Sequence, residues 1–392
     1  MSQDHVAPKR RLRLGMVGGG RSGNIGRSHR HAALLDGRWE LVAGALSADP
    51  ERARISAADW LIPADRGYSS YQTMAADEAA REDGIDAVTI CTPNDSHHAI
   101  ARAFIDRGIN IICDKPLTTT MADALDLVHA TREAGVIFAV THTYSGYPMV
   151  RMARDLVKAG ELGEIRSVAV EYVSQYQCEL RPGYDWQNDP ARAGPLGSVA
   201  GIGTHAHHLA AFITGLTLTE LSADLASLLP GHLLDDHATM HLRYSNGARG
   251  YLWCTTVAPG NENGLRIRVS GSTGSLAWAQ EHPNHIILAR LNEQPRILSR
   301  GGFVSTPSST AATRIPSGHP EGYLEAFANL YTEIADAILA KQAGHPGPDT
   351  GYLFPSVEDG ARGVRFMFAA LESSQNASRF VDATPGALGK DL

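Results

Sequence analysis

RLRLGMVGGGRSG, residues 11–23, decides the fold of this chain. Its first eight residues, ending at Gly18, read as an apolar strand. Gly18, Gly20 and Gly23 follow in the order G-x-G-x-x-G, and the residues from Gly23 to about Leu35 suit a helix. In such a strand–turn–helix the first glycine permits the tight turn. The second lets a pyrophosphate approach the backbone, and the third packs helix on strand. The start of the helix adds N–H donors and the positive end of its dipole. The stretch therefore predicts a dinucleotide-binding turn that includes Arg21 and Ser22.

Outward from that turn the same grammar repeats. WELVAGAL (39–46), the segment 85–90, INIICD (109–114) and VIFAVTH (136–142) read as further strands. SHHAIARAFIDRG and MADALDLVHATREAG, each ending in Gly, read as the helices between them. This alternation specifies an α/β fold with a doubly wound parallel sheet over residues 11–142. After Tyr144 the pattern changes. A helix at YPMVRMARDLVKAG precedes segments of period two (SVAVEYVSQY, HATMHLRYS, ARGYLWCTTV, LRIRVSGS) and turn signals at 245–247 and 272–274. Residues 143–380 are thus expected to form an α+β domain with a large, mostly antiparallel open sheet. THAHHLAAFITG is a helix embedded in it, 300–318 a long loop, and two helices close the chain, the last expected to pack back on the first domain.

Composition narrows the function. The 392 residues are 43% hydrophobic and carry a net charge of −7, which argues against a general nucleic-acid-binding surface. No run approaches the ~20 apolar residues of a membrane span. The polar first ten residues lack the apolar core of a signal peptide, so a cytoplasmic location is expected. Cys91, Cys113, Cys178 and Cys254 form no C-x-x-C pair and are expected to be reduced thiols.

Ligands of open α/β sheets bind at the carboxyl ends of the strands. At the end of the second strand Ser47 stands where an acid would meet a ribose hydroxyl. Asp49 reads as a helix N-cap, and Arg21 is either a phosphate contact or a solvated charge. Two further strand ends carry Cys91-Thr92-Pro93-Asn94-Asp95-Ser96-His97 and Cys113-Asp114-Lys115-Pro116. A lysine fixed between a buried strand and a proline turn is a functional candidate, whereas His97 serves equally to start the next helix. His205 and His208 share a helix face at i, i+3, but no third ligand stands at motif spacing, so no metal is expected.

Taken together, VGGGRSG, CTPNDSHH, DKP and the later GIGTHAHHLAAF resemble the Gfo/Idh/MocA family (glucose–fructose oxidoreductase, inositol dehydrogenase) over roughly residues 11–380. The resemblance implies an enzyme that binds NAD or NADP, with a lean to NAD, and moves a hydride to or from a ring hydroxyl of a sugar, glycoside or cyclitol. It implies that Gly18, Gly20, Arg21, Ser22, Gly23, Ser47, Thr92, Pro93, Asn94, His97, Asp114 and Lys115 hold the cofactor. Lys115 and His205 would then be catalytic, and Tyr144, Trp186, Asp189 and His208 would bind substrate. The family's Glu-Lys-Pro is here Asp114-Lys115-Pro116. Its Asp-x-Gly-x-His begins with Gly201, so the acid that supports His205 is missing. Asp185 or Asp189 could substitute, Lys115 could serve as the main base, or the chain could be a non-catalytic cofactor-binding member. A redox-assisted glycosidase is a further alternative. The resemblance also implies a homodimer or homotetramer.

Overall fold

The computed structural model describes residues 10–21, 23–179, 185–348 and 351–385. A five-stranded parallel sheet is built from β1 (Leu12–Gly18), β2 (Trp39–Ala45), β3 (Ala87–Cys91), β4 (Asn110–Cys113) and β5 (Phe138–Val140), in the order β2-β1-β3-β4-β5. Every residue of β3 and β5 is buried, as strands covered on both faces require. Helices α1 (Asn24–Leu35), α2 (Pro50–Asp59), α3 (Tyr71–Ala80), α4 (His97–Ile105) and α5 (Met121–Ala134) connect them. Local chemistry sets their ends. Asp49 accepts the Arg52 amide at 2.8 Å at the start of α2, and Gly135 closes α5 at φ +63°. α4 stops at Ile105, and Gly108 supplies a left-handed turn beyond it rather than the cap itself.

After α6 (Pro148–Lys158), the second sheet comprises β6 (Ile165–Val173), β7 (Leu218–Ala226), β8 (His237–Tyr244), β9 (Arg249–Thr255), β10 (Gly264–Gly271), β11 (Gly274–Ala279), β12 (His285–Arg290), β13 (Arg296–Ser299) and β14 (Val381–Asp382). Its order is β13-β12-β11-β10-β6-β9-β8-β7-β14, antiparallel except where β6 runs beside β9. The short α7 (Pro190–Ala193) and α8 (Thr204–Thr214) come between β6 and β7. The expected loop at 300–318 contains α9 (Pro307–Ala311). One face of the sheet packs into the larger core with α6 and α8; the other stays open.

The two closing helices, α10 (Tyr323–Gln342) and α11 (Val357–Gln375), tie the sheets together. Tyr331 on α10 accepts the Trp39 indole N–H at 3.0 Å on its carbonyl, and its hydroxyl meets His29 at 2.8 Å and Thr89 at 2.9 Å. Val357, Ala361 and Val364 of α11 lie in the core of the parallel sheet, whereas Phe366, Met367 and Ala370 lie in that of the second. All four cysteines are unpaired, and Cys91, Cys113 and Cys254 are buried. Among the described residues no helix is long and apolar enough to cross a membrane.

Candidate active site

The glycine turn lies at the carboxyl end of β1. Gly18 takes φ +78°, a conformation costly for a residue with a side chain, and a Cβ there would lie 2.7 Å from the Cys91 carbonyl oxygen. Gly26 is as constrained, by contact. A Cβ on it would lie 2.3 Å from the Gly19 carbonyl oxygen, so turn and helix touch backbone to backbone. Gly23 is the N-cap of α1 and places no side chain over its first turn. This geometry sets the N-terminus of α1 beside a closely packed glycine loop, which fits a pyrophosphate. Ser22 lies outside the described residues.

Around the turn the other cofactor candidates fall into place at different distances from a role. Ser47 follows the end of β2 and accepts the Asp49 amide at 3.1 Å. Arg21 pairs with Asp59 at 2.9 Å on the surface. Thr92 and Pro93 form the turn after β3, closed by Ser96, whose hydroxyl meets the Thr92 hydroxyl and the Pro93 carbonyl at 2.7 Å each. Asn94 is buried and donates across to the Ala193 carbonyl at 3.0 Å. His97 neither caps its helix nor points outward. Its buried ring bridges the Thr92 carbonyl at 3.0 Å and the Pro116 carbonyl at 2.9 Å, locking the two strand-end turns together.

Lys115 links the turn after β4 to the segment that leads into α8. Asp114 Oδ1 accepts the Lys115 amide at 2.8 Å and the Thr141 hydroxyl at 3.0 Å, which fixes the turn after β4. The Lys115 Nζ then donates to the main-chain carbonyl of Gly201 at 2.6 Å. Gly201 sits in a single π-helical turn, Val199–Gly203, that runs directly into α8. Such widened turns recur at functional sites, and the sequence VAGIG gives no periodic sign of one. Asp235 anchors it by accepting the Gly197 amide, the Val199 amide and the Ser198 hydroxyl at 2.7–2.9 Å. Burial pulls the Lys115 ammonium below its ordinary range, and Asp114 opposes the shift only in part.

His205 lies on α8 one turn beyond Gly201. Its Nδ1 is buried and without a hydrogen-bond partner among the described residues. The ring is held by packing instead. Tyr144 stands edge-on at 4.9 Å between centroids and His142 edge-on at 5.5 Å. Burial first, then Lys115 and His208, push its pKa well below the usual imidazole value, so the ring is neutral at neutral pH. A side chain at Gly201 would find open space, with the Tyr176 hydroxyl its nearest neighbour at 3.5 Å.

Sequence reasoning missed two members of this group. His142, quoted only as the end of a strand, is buried and stacks on His208 at 4.5 Å with an interplanar angle of 6°. Its position at the carboxyl end of β5 was the available signal. Asn263 accepts the Tyr172 hydroxyl at 2.7 Å, and Tyr172 meets Tyr144 at 2.5 Å. Of the other substrate candidates, Trp186 is half-buried in a one-turn helix. Asp189 spends Oδ1 capping α7 through the Ala191 amide at 2.9 Å. The side chain of Asp185 lies outside what the structure describes. Glu321 is buried against Arg300 at 2.8 Å.

Comparison with known proteins agrees with this architecture. Residues 12–142 match the model of the oxidoreductase family with an NAD-binding Rossmann fold, and residues 150–277 match the GFO/IDH/MocA C-terminal domain. The chain is 33% identical over 379 residues to the uncharacterized oxidoreductase YfiI of Bacillus subtilis, covering 95% of this chain and 96% of that one. It is 45% identical to an oxidoreductase from Sinorhizobium meliloti, with a TM-score of 0.87 over 95% of this chain and all of that one. It is 34% identical to an inositol dehydrogenase homolog of Azotobacter vinelandii solved with NAD+, with a TM-score of 0.92 over 95% and 98% of the two chains. That homolog is also solved with NADH and myo-inositol. With its glycine turn, its strand-end lysine and its second sheet in place, this chain belongs to the Gfo/Idh/MocA family of NAD-binding oxidoreductases.

Proposed function

We propose that this chain is a dehydrogenase of polyhydroxylated rings, a sugar, glycoside or cyclitol, with Lys115 and His205 handling the proton of the reacting hydroxyl. The observation that carries the reading is the 2.6 Å contact between Lys115 Nζ and the Gly201 carbonyl. It holds an amine of lowered pKa at the junction of a nucleotide-binding sheet and the helix that bears His205. When bound, the nicotinamide would accept or return hydride at the ring carbon. Gly18, Gly20 and Gly23 would sit against its pyrophosphate, with Thr92, Pro93 and Asn94 along the strand ends. Arg21 is already paired with Asp59, which favours NAD over a cofactor carrying an extra phosphate.

The neutral Lys115 amine accepts the hydroxyl proton on oxidation and returns it on reduction, a role that burial prepares it for. His205, neutral and oriented by Tyr144 and His142, hydrogen-bonds the same oxygen or its neighbour. The Tyr144–Tyr172–Asn263 chain and His208 supply further polar groups for ring hydroxyls. Relatives named for inositol support the ring-polyol class.

Turnover of a panel of sugars, glycosides and cyclitols with NAD and with NADP, followed by absorbance of the reduced nicotinamide, tests the reading. Lys115→Met should keep cofactor binding and lose about 10²–10⁴ in kcat. An unchanged kcat in a variant that still binds NAD would sink the assignment of Lys115.

The open face of the second sheet supports a homo-oligomer. One cross-strand row runs Ile297, Ile287, Ala277, Arg268, Ala169, Tyr251, His241 and Ser222, each paired with the next. Ile287 and Ile297 expose 47% and 69% of their surface, an apolar patch of the kind a second copy covers.

A further inference from the structure

A cavity of about 590 Å³ lies along α8, lined by residues of α6, α8, α11 and the segment 352–355. That size suits a metabolite rather than a single ion. Its charge runs against that of the molecule. The chain carries −7 overall, yet this wall presents Arg154, Arg362 and Arg365 and a single carboxylate, Asp359.

The carboxylate is already spent. Its two oxygens accept the Arg362 guanidinium at 2.7 Å and the Ser356 amide at 2.9 Å, where Asp359 caps α11. Among the described residues Arg365 donates to main-chain carbonyls, those of Asp382 at 2.6 Å and Thr384 at 3.3 Å, with the Asp382 carboxylate 3.7 Å away. Arg154 lies over the Phe212 ring at 5.1 Å. These contacts leave further N–H donors on the guanidinium groups that line the cavity, and such groups bind carboxylate and phosphate oxygens through paired N–H donors. Phe212, Tyr352 and Phe354 supply apolar surface beside them.

The cavity is also joined to the redox site. His208 lines it and stacks on His142, which in turn stands edge-on to His205. We propose that this cavity is an effector site for a small organic anion, a phosphate or carboxylate bearing an apolar or ring portion, and that its occupant acts on the redox site through His208. The binding half stands apart from the proposed dehydrogenase reading; the effector half rests on it.

The test uses the full chain saturated with NAD, so that the dinucleotide cleft is filled. Calorimetric titration with phenyl phosphate and with benzoate separates phosphate from carboxylate recognition, and sodium chloride at matched ionic strength controls for screening. Saturable binding of one probe is expected, weakened about tenfold or more in Arg154→Gln and Arg362→Gln, since each removes a charge-assisted hydrogen bond. Ala211→Glu puts a carboxylate into the same wall and should abolish binding without removing any existing ion pair. NAD affinity equal to that of the parent certifies each variant as folded. No saturable binding beyond the chloride control, or equal binding in all three variants, would overturn the site. Saturable binding that leaves kcat and KM for the ring polyol unchanged would overturn the effector role alone.

Discussion

Gly201→Asp tests the site most directly, because it restores a charge where the structure has room for one. A Cβ at residue 201 meets only the Tyr176 hydroxyl, at 3.5 Å, and the position lies outside the left-handed region, so the residue fits without strain. The Lys115 Nζ is 2.6 Å from the carbonyl of the same residue, and a separation of about 5 Å from the new carboxylate is taken for the magnitude. At an effective dielectric of about 20, Coulomb's law gives roughly 3 kcal/mol in favour of the ammonium. That equals about two pH units, reduced to about one by solvent reaching a partly exposed side chain. In the proposed mechanism the neutral amine is the working form, so raising its pKa withdraws it. The acidic limb of kcat/KM for polyol oxidation, measured with whichever polyol turns over fastest, should move to higher pH by about one to two units. A limb that stays put or moves down, in a variant with unchanged NAD affinity, refutes the assignment of the limb to Lys115.

Gly26→Ala should cost about 1–3 kcal/mol, because the new methyl meets the Gly19 carbonyl oxygen at 2.3 Å and backbone must move. The same shift should weaken NAD binding more than tenfold, with Gly201→Ala as a silent control; equal NAD affinity in the two would contradict the contact. Acid should begin to destabilise the fold through its buried histidines. Burial pulls His29 and His208 down to about 4, so as pH falls from about 6.5 the unfolded chain takes up protons first. Each group then removes about 1.4 kcal/mol per pH unit until its folded-state pKa is reached. A denaturant midpoint constant between pH 6.5 and 4.5 would be inconsistent with this. Ala169→Arg, in the middle of the exposed cross-strand row, should convert the proposed oligomer to monomer in analytical ultracentrifugation, and an unaltered sedimentation coefficient would rule that face out as the interface.

What the sequence disclosed, it disclosed where local chemistry constrains residue type. Gly18, Gly20 and Gly23 stand where a side chain would clash, so the nucleotide turn is written in the glycines themselves. Lys115 was legible because a strand and a proline bracket it. The short strands β11, β12 and β13 were not, since they are stabilised by their neighbours in a nine-stranded sheet rather than by their own patterning. His142 escaped notice for a related reason. Its meaning comes from stacking on His208, a residue on a distant helix. Asp189 carries a second duty that its place before Pro190 announces, capping the helix beside it through Oδ1.

The main-chain acceptor at Gly201 bears on how such a site survives mutation. A carboxylate partner can be lost in one codon change, but a peptide carbonyl is supplied by every residue type. The Lys115–Gly201 contact depends on the path of the π-turn, and Asp235, from outside that turn, holds the path in place. Residue 201 is therefore insulated: its side chain is free to drift toward new substrates while the lysine stays berthed. The vulnerability has moved to Asp235, where a substitution would disturb catalysis without touching a reacting group.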